Sequence, residues 1–450
     1  MNRDLTTGNV AKTMLLFAGP MIMGNLLQQF YNIADTLIVG KFLGAEAMAA
    51  VGTAYTLMTF LTSILIGLCM GSGSVFSFYY GKKDLVKMQG CMKSAFLMVG
   101  GVTVAVDALA FLLVDPILRL LRIPAEIMDA MRLYVLIIFA GIFFIFLYNY
   151  FAYLLRALGN SVVPLYFLGG TSILNVALDL LFVVVFHWGI GGAAIATVLS
   201  QVISGVGIGA YTWRKEPLLK GAWQVRAGSR GDRRETRREI IRFSFAASIQ
   251  QSVMNFGILM VQGLVNSFGV AVMAAFTAAV KIDSFAYMPA QEFGNAFSLY
   301  ISQNYGAGKM ERVRQGAVRA MAISVAFCLA VSVLVFGAAE YLMMFFVSPS
   351  ETEIIQIGVG YLRVEGAFYC GIGILFLLYA FYRGINKPEM SLVLTVISLG
   401  IRVCLAYLLA PMPGIGVWGI WWAIPVGWFL ADVTGIVYLV RLRKRNGSGA

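Results

Sequence analysis

"RKEPLLKGAWQVRAGSRGDRRETRRE", residues 214–239, is the longest polar stretch in a chain of 450 residues, and what flanks it decides the fold. On both sides the sequence runs through long apolar segments. Hydrophobic residues make up 60% of the chain and charged residues 12%, with a mean hydropathy of +0.81. That balance excludes a soluble globule. A helix needs roughly 20 apolar residues to cross about 30 Å of hydrocarbon, and twelve runs, six before the polar stretch and six after it, meet the requirement. The expected class is an all-α integral membrane protein with an N-terminal six-helix lobe at 1–213, a basic cytoplasmic linker at 214–239 and a C-terminal six-helix lobe at 240–450. The linker reads either as a basic amphipathic segment on the inner leaflet or as a disordered tether. The first apolar run outlasts a cleavable signal, so the first helix is expected to stay.

The net charge of +12 raises nucleic acid as a partner, but its distribution excludes one. Of 34 Lys and Arg, all but Lys41, Arg119, Arg122, Arg132, Lys281, Arg363 and Arg402 fall in the N-tail, the even-numbered loops or the C-tail. The positive-inside rule then places both termini in the cytoplasm of a cell (plasma) membrane protein, with membrane lipids as partners of the basic residues. Cys69, Cys91, Cys328, Cys370 and Cys404 are scattered through apolar runs without CxxC spacing and read as small hydrophobes. No Walker A motif, zinc spacing or nucleophile constellation is present, so neither an enzyme nor a cofactor is expected.

The halves repeat one another. At an offset of 225, "LGAEAMAAVG" (43–52) pairs with "FGVAVMAAFT" (268–277), "YYGKK" (79–83) with "NYGAG" (304–308), and "GIGGAAIA" (189–196) with "GIGVWGIW" (414–421). At 227, "LLRALGN" (154–160) meets "FYRGINK" (381–387). Because six is even, two copies of a six-helix unit enter the membrane with one orientation, and a pseudo-twofold axis along the membrane normal is expected. The habit belongs to transporters that alternate access.

The pattern "YNIADTLIVGKFLGAEAMAAVG" (31–52), with "GP" and Gln28/Gln29 ahead of it, "QNYGAGK" (303–309), "RALGN" (156–160) and "RGINKP" (383–388) resembles the MATE family of multidrug and toxic compound extrusion antiporters along essentially the whole chain. Asp35 together with "NVALD" (175–179) resembles its DinF-like branch. The resemblance implies twelve helices in two lobes and export of small organic cations in exchange for inward protons or sodium ions; alternating access and a monomer are expected with it.

An ionisable group deep in lipid is a functional candidate by default. Asp35, Asp107 and Asp179 sit inside first-half spans with no Lys or Arg at similar depth, whereas Asp283, Glu292, Glu340, Glu365 and Asp432 share the second half with Lys281, Arg363 and Arg402. Unpaired acids must find a proton or a cation, which puts coupling in the first half. At 1.5 Å per residue Asp35 and Asp179 both lie about 9 to 10 Å below the outer surface. Asn175 is one turn deeper on the Asp179 face, and Thr197 reaches a similar level. Two carboxylates, an amide oxygen and a hydroxyl suit sodium, and two close carboxylates also hold one proton readily. The resemblance implies the same coupling set, Asp35, Asn175, Asp179 and Thr197, with Tyr134 as a further member.

Gln28, Gln29, Asn255 and Gln262 are candidates for lining a substrate cleft. Glu365 and Arg402 read as a structural ion pair, with Lys281 and Asp283 as a possible second. His187 beside Trp188 reads as interfacial. Two alternatives stay open: a flippase for lipid-linked saccharides with the same duplicated plan, which calls for a cationic cleft, and a channel, which calls for a pore through an oligomer.

Overall fold

The computed structural model describes residues 3–120, 125–224 and 230–447. Arg122 and residues 225–229 of the expected linker lie outside them. The described residues form helices and no strand: α1 Val10–Leu43, α2 Ala45–Lys82, α3 Leu85–Leu112, α4 Val114–Leu120, α5 Ala125–Phe139, α6 Ile142–Ala157, α7 Val162–Asp179, α8 Gly189–Lys215, α9 Pro217–Gln224, α10 Arg230–Asn266, α11 Val270–Gly306, α12 Met310–Met344, α13 Thr352–Ala367, α14 Tyr369–Gly384, α15 Pro388–Leu409 and α16 Val417–Gly447. Nine are long and apolar enough to cross a membrane, and α5 with α6 and α13 with α14 make two broken spans bent by 41° and 52°. The remaining apolar run of the sequence lies in α10, whose hydropathy is diluted by a charged first third and by Gln250, Gln251, Asn255 and Gln262.

The duplication is written into the backbone. α2 and α11 begin 225 residues apart, as do α3 and α12, while α6 and α14 begin 227 apart. The turns that feed them recur at the same offsets: Gly44 and Gly269 have φ of 91° and 98°, Lys83 and Gly308 of 61° and 69°, Gly159 and Asn386 of 84° and 62°. Left-handed backbone suits glycine and is tolerated by asparagine, and only at Lys83 does a long side chain accept it. Both broken spans break where i→i−3 bonds tighten the turn, Gly141 N to Ile138 O at 2.9 Å and Gly371 N to Phe368 O at 2.8 Å.

The described residues within 214–239 are largely helical, in α9 and the start of α10. α9 buries Leu219 and Ala222 and is tied to α3 by the Gln89 amide, which donates to the Leu218 carbonyl at 3.3 Å. α10 already begins at Arg230. Thr236, Ile240, Phe243, Ser244 and Ala247 form its buried stripe, while Arg234, Arg237 and Arg238 form an exposed face. An arginine-rich run with apolar residues at helical spacing is the solvated side of a helix rather than a tether. Tyr79 donates to Glu239 at 2.6 Å, and Lys87 pairs with Glu235 at 3.3 Å.

Two compact units result, and their boundaries differ from the expected 213 and 240. One comprises residues 1–5 and 19–248, the other 6–18 and 249–450. In the first, α2 and α10 touch backbone to backbone: a Cβ on Gly67 would lie 2.4 Å from Ser248 Cα, and one on Gly71 2.3 Å from the Phe243 carbonyl oxygen. Ser72 and Ser244 hydroxyls meet at 2.8 Å, and Ser248 donates to the Ile64 carbonyl at 3.0 Å. Small residues drive such contacts where hydrocarbon offers helices no hydrophobic reason to associate. In the second unit the start of the chain is clasped by α12 and the turn before it. Lys309 donates to the Thr6 carbonyl at 2.8 Å, and Arg312 to the Gly8 and Thr7 carbonyls at 2.8 and 3.0 Å.

Candidate functional site

Within the first unit α1, α2, α5, α6, α7 and α8 enclose a cavity of about 350 Å³. Gln28, Gln29, Tyr31 and Asp35 reach it from α1, Tyr134 from α5, Asn175 from α7 and Thr197 from α8. No Lys, Arg or His lines it. Asp179 stands immediately behind, with no exposed surface, and its carboxyl lies within electrostatic range of that of Asp35.

That proximity carries the chemistry. An ionised carboxylate only accepts hydrogen bonds, and Asp35 Oδ1, both oxygens of Asp179 and Asn175 Oδ1 are buried without a donor among the described residues. Asn175 uses its Nδ2 in a long bond to Thr197 Oγ1 at 3.4 Å, which leaves its oxygen on the acceptor side of the cluster. Acceptors gathered out of water need something positive among them. A proton shared by Asp35 and Asp179, or one small cation held by their oxygens and Asn175 Oδ1, meets the need.

The chain geometry explains the arrangement. Asn175 and Asp179 are four residues apart on one face, and after Asp179 the helix widens into a π turn over Leu180–Val185. Such turns accompany functional sites because the extra residue re-aims the side chains beside it. Tyr31 is a member that the sequence reading passed over. It lines the cavity and lies within electrostatic range of both carboxyls, as Tyr134 does. Its signal was present: Tyr31 is one turn before Asp35. Ser200, Gln201 and Ser204 also line the cavity, each with a buried polar oxygen lacking a partner.

The cleft candidates separate. Gln28 and Gln29 line this cavity, whereas Asn255 and Gln262 belong to the second unit. Gln262 is engaged by its neighbour, its Nε2 donating to Asn266 Oδ1 at 2.8 Å. Asp107 is half-buried on α3 and does not reach the cavity.

In the second unit the expected ion pair of Glu365 with Arg402 is replaced by a different contact. No ion pair within 4.0 Å joins them among the described residues, and Glu365 Oε1 and Arg402 Nε are both buried without a partner. The Glu365 carboxyl packs instead against Asp283, with Tyr361 and Tyr369 hydroxyls against the acids and Arg402 nearby. Glu365 lies in the last turn of α13, which ends at Ala367 before the break at Phe368. Lys281 does not pair with Asp283 either: it is exposed and Asp283 is buried, since residues two apart on a helix face different ways. Glu292 receives the Asn295 amide at 3.2 Å.

A double-mutant cycle separates the two arrangements. Asp283→Asn with Glu365→Gln should show a coupling energy in the range of about 0.5–3 kcal/mol expected for residues in one network. Glu365→Gln with Arg402→Leu should couple more weakly. Thermal unfolding of the purified variants measures both, and the reverse order restores the ion pair.

The MatE family model matches this chain twice, at residues 20–181 and 245–408, an offset of 225 between the starts. The probable multidrug resistance protein YpnP of Bacillus subtilis is 31% identical over 395 residues, 88% of this chain and 87% of that protein. The probable multidrug resistance protein NorM of Thermotoga maritima is 25% identical over 426 residues, 92% of this chain and 88% of that protein. Among solved structures, an outward-facing multidrug resistance MATE family transporter of the MOP superfamily shares the fold with a TM-score of 0.90, at 24% identity, over 98% of this chain and 97% of that one. A six-helix plan used twice, matched by one family model on each half and by relatives along nearly the whole length, places this chain in the MATE family: it is an integral membrane transporter of twelve helices in two lobes, and not an enzyme.

Proposed function

We propose that the protein exports hydrophobic organic cations across the plasma membrane in exchange for inward protons or sodium ions, by alternating access, as a monomer with both termini in the cytoplasm. The observation that carries this reading is the proximity of Asp35 to Asp179 behind a cavity without a basic residue. Such a site is suited to a positive occupant that comes and goes. Asp35, Asn175, Asp179 and Thr197 form the coupling set, with Tyr134 and Tyr31 beside it, and the set supports assignment to the DinF-like branch. No cofactor enters beyond the coupling ion. The multidrug names of the relatives support a drug-like substrate, and Gln28, Gln29 and the aromatic side chains of the cavity offer soft and polar contacts for one.

Coupling follows from competition. An ion entering from outside and a cationic substrate leaving favour different arrangements of the protein, so each lowers the affinity for the other. A flippase for lipid-linked saccharides needs cationic groups for pyrophosphate, and this cavity has none. The test is a proteoliposome assay that follows a fluorescent cationic dye under separate proton and sodium gradients. Dye movement driven by either gradient supports antiport and identifies the ion. Dye movement that ignores both refutes it.

A further inference from the structure

A second cavity, about 300 Å³, lies in the first unit at the end of the molecule where basic residues gather. α9 is its roof. Leu219 and Ala222 of α9 close it from above, Met92 and Phe96 of α3 and Phe151 of α6 form its walls, and Trp213 and Trp223 stand at its rim. The volume is at the lower end of the range, roughly 300–1,000 Å³, occupied by small ligands.

Its polarity is one-sided. Lys93 is its only charged lining residue, and the ammonium sits 5.5 Å from the centre of the Trp223 ring with no carboxylate partner among the described residues. The Tyr150 hydroxyl is engaged, donating to the Met92 carbonyl at 2.8 Å. The groups left over are donors only, one ammonium and the indole N–H groups of Trp213 and Trp223. Both tryptophans are nearly half exposed, at 45% and 42%. Trp213 immediately precedes Arg214 and Lys215 at the end of α8, and tryptophan beside lysine and arginine marks the headgroup level of a bilayer. Phe96 lies eleven residues into α3, about 16 Å along the helix at 1.5 Å per residue, so the walls descend from headgroup level into the hydrocarbon.

We infer that this cavity is a binding site for an anionic glycerophospholipid of the leaflet facing the basic end of the protein, one acyl chain under α9 and the phosphate at Lys93. Charge complementarity selects the headgroup, because a cation and two N–H donors without an acceptor favour a phosphate diester carrying net negative charge over a zwitterion. The apolar walls select the chain. The site is separate from the Asp35–Asp179 cavity and its occupancy does not depend on what the protein carries.

The test uses the full-length protein in detergent, with native mass spectrometry after incubation with phosphatidylglycerol, with phosphatidylcholine of the same chains, or with glycerol phosphate alone. Wild type should retain phosphatidylglycerol in preference to phosphatidylcholine and should not retain glycerol phosphate. Lys93→Gln should lower that preference by roughly fivefold, the factor that corresponds to about 1 kcal/mol for one lysine at an anionic surface. Ala222→Trp, which fills the cavity, should lose retention of phosphatidylglycerol. Independently of any variant's ability to displace lipid, chain-brominated phosphatidylglycerol should quench indole emission of wild type more than that of Trp213→Phe/Trp223→Phe. Equal retention of the two lipids by wild type, retention of glycerol phosphate alone, an unchanged preference in Lys93→Gln, or quenching indifferent to the two tryptophans overturns the inference.

Discussion

Asp179→Asn should reach the membrane in normal amount and lose gradient-driven dye efflux. The carboxyl it replaces has no exposed surface and faces Asp35, with both its oxygens lacking a donor. The amide brings a donor of its own, so the cluster no longer needs a proton or a cation, and the protein folds with its coupling group removed. The effect is read most directly in dye binding to purified protein. In wild type, affinity for the dye should rise from acid to alkaline pH, as the shared proton leaves, and fall when sodium is added. Linkage sets the same factor for the reciprocal effect, typically about 5- to 150-fold. In Asp179→Asn that dependence should flatten, and Asp35→Asn should behave alike. A variant that keeps the wild-type dependence on pH and sodium would remove these residues from the coupling site.

Gly71→Leu is expected to be the most damaging single change in the scaffold. Even a Cβ at this position would lie 2.3 Å from the Phe243 carbonyl oxygen, a backbone atom that cannot swing aside. Leucine therefore forces α2 away from α10 and separates Ser72 from Ser244. Overpacking a tight contact costs about 1–3 kcal/mol where side chains can adjust, and more where only the backbone can. Gly52 sits on the same helix with nothing within 4 Å of its Cβ direction. Gly52→Ala should leave the yield of monodisperse protein and its melting temperature close to wild type, whereas Gly71→Leu should abolish the folded fraction in size-exclusion chromatography. Comparable yields for the two would mean that α2 and α10 are not in backbone contact.

The spans and the duplication were legible because hydropathy and short motifs repeat without reference to tertiary structure. "LGAEAMAAVG" and "FGVAVMAAFT" each contain, at Gly44 and Gly269, a turn residue of matching positive φ. Depth was legible too, since helix rise places Asp35 and Asp179 at one level. Rotation about the helix axis was not. Glu365 and Arg402 are opposite in charge, yet Glu365 lies against Asp283, and no one-dimensional reading of charge contains a rotation about the helix axis. In the basic stretch the arginines dominate composition, while the stripe that docks the start of α10, Thr236, Ile240 and Phe243, is small and continues past residue 239. Tyr31 was passed over because a tyrosine in an apolar run has an ordinary role in packing, and only the cavity distinguishes it.

The division of the chain sets an order on biosynthesis. Residues 6–18 belong with 249–450, and residues up to Ser248 belong with the first half. A ribosome that has delivered the first six spans has therefore not yet delivered the α10 segment against which Gly67 and Gly71 close, while Thr6, Thr7 and Gly8 receive Lys309 and Arg312 only once α12 begins. The first half is not finished at the moment its own six hydrophobic runs have left the translocon. Its completion waits for the start of α10, so the insertion machinery receives a nascent chain whose first half stays open, and exposed to quality control, through at least part of one more helix.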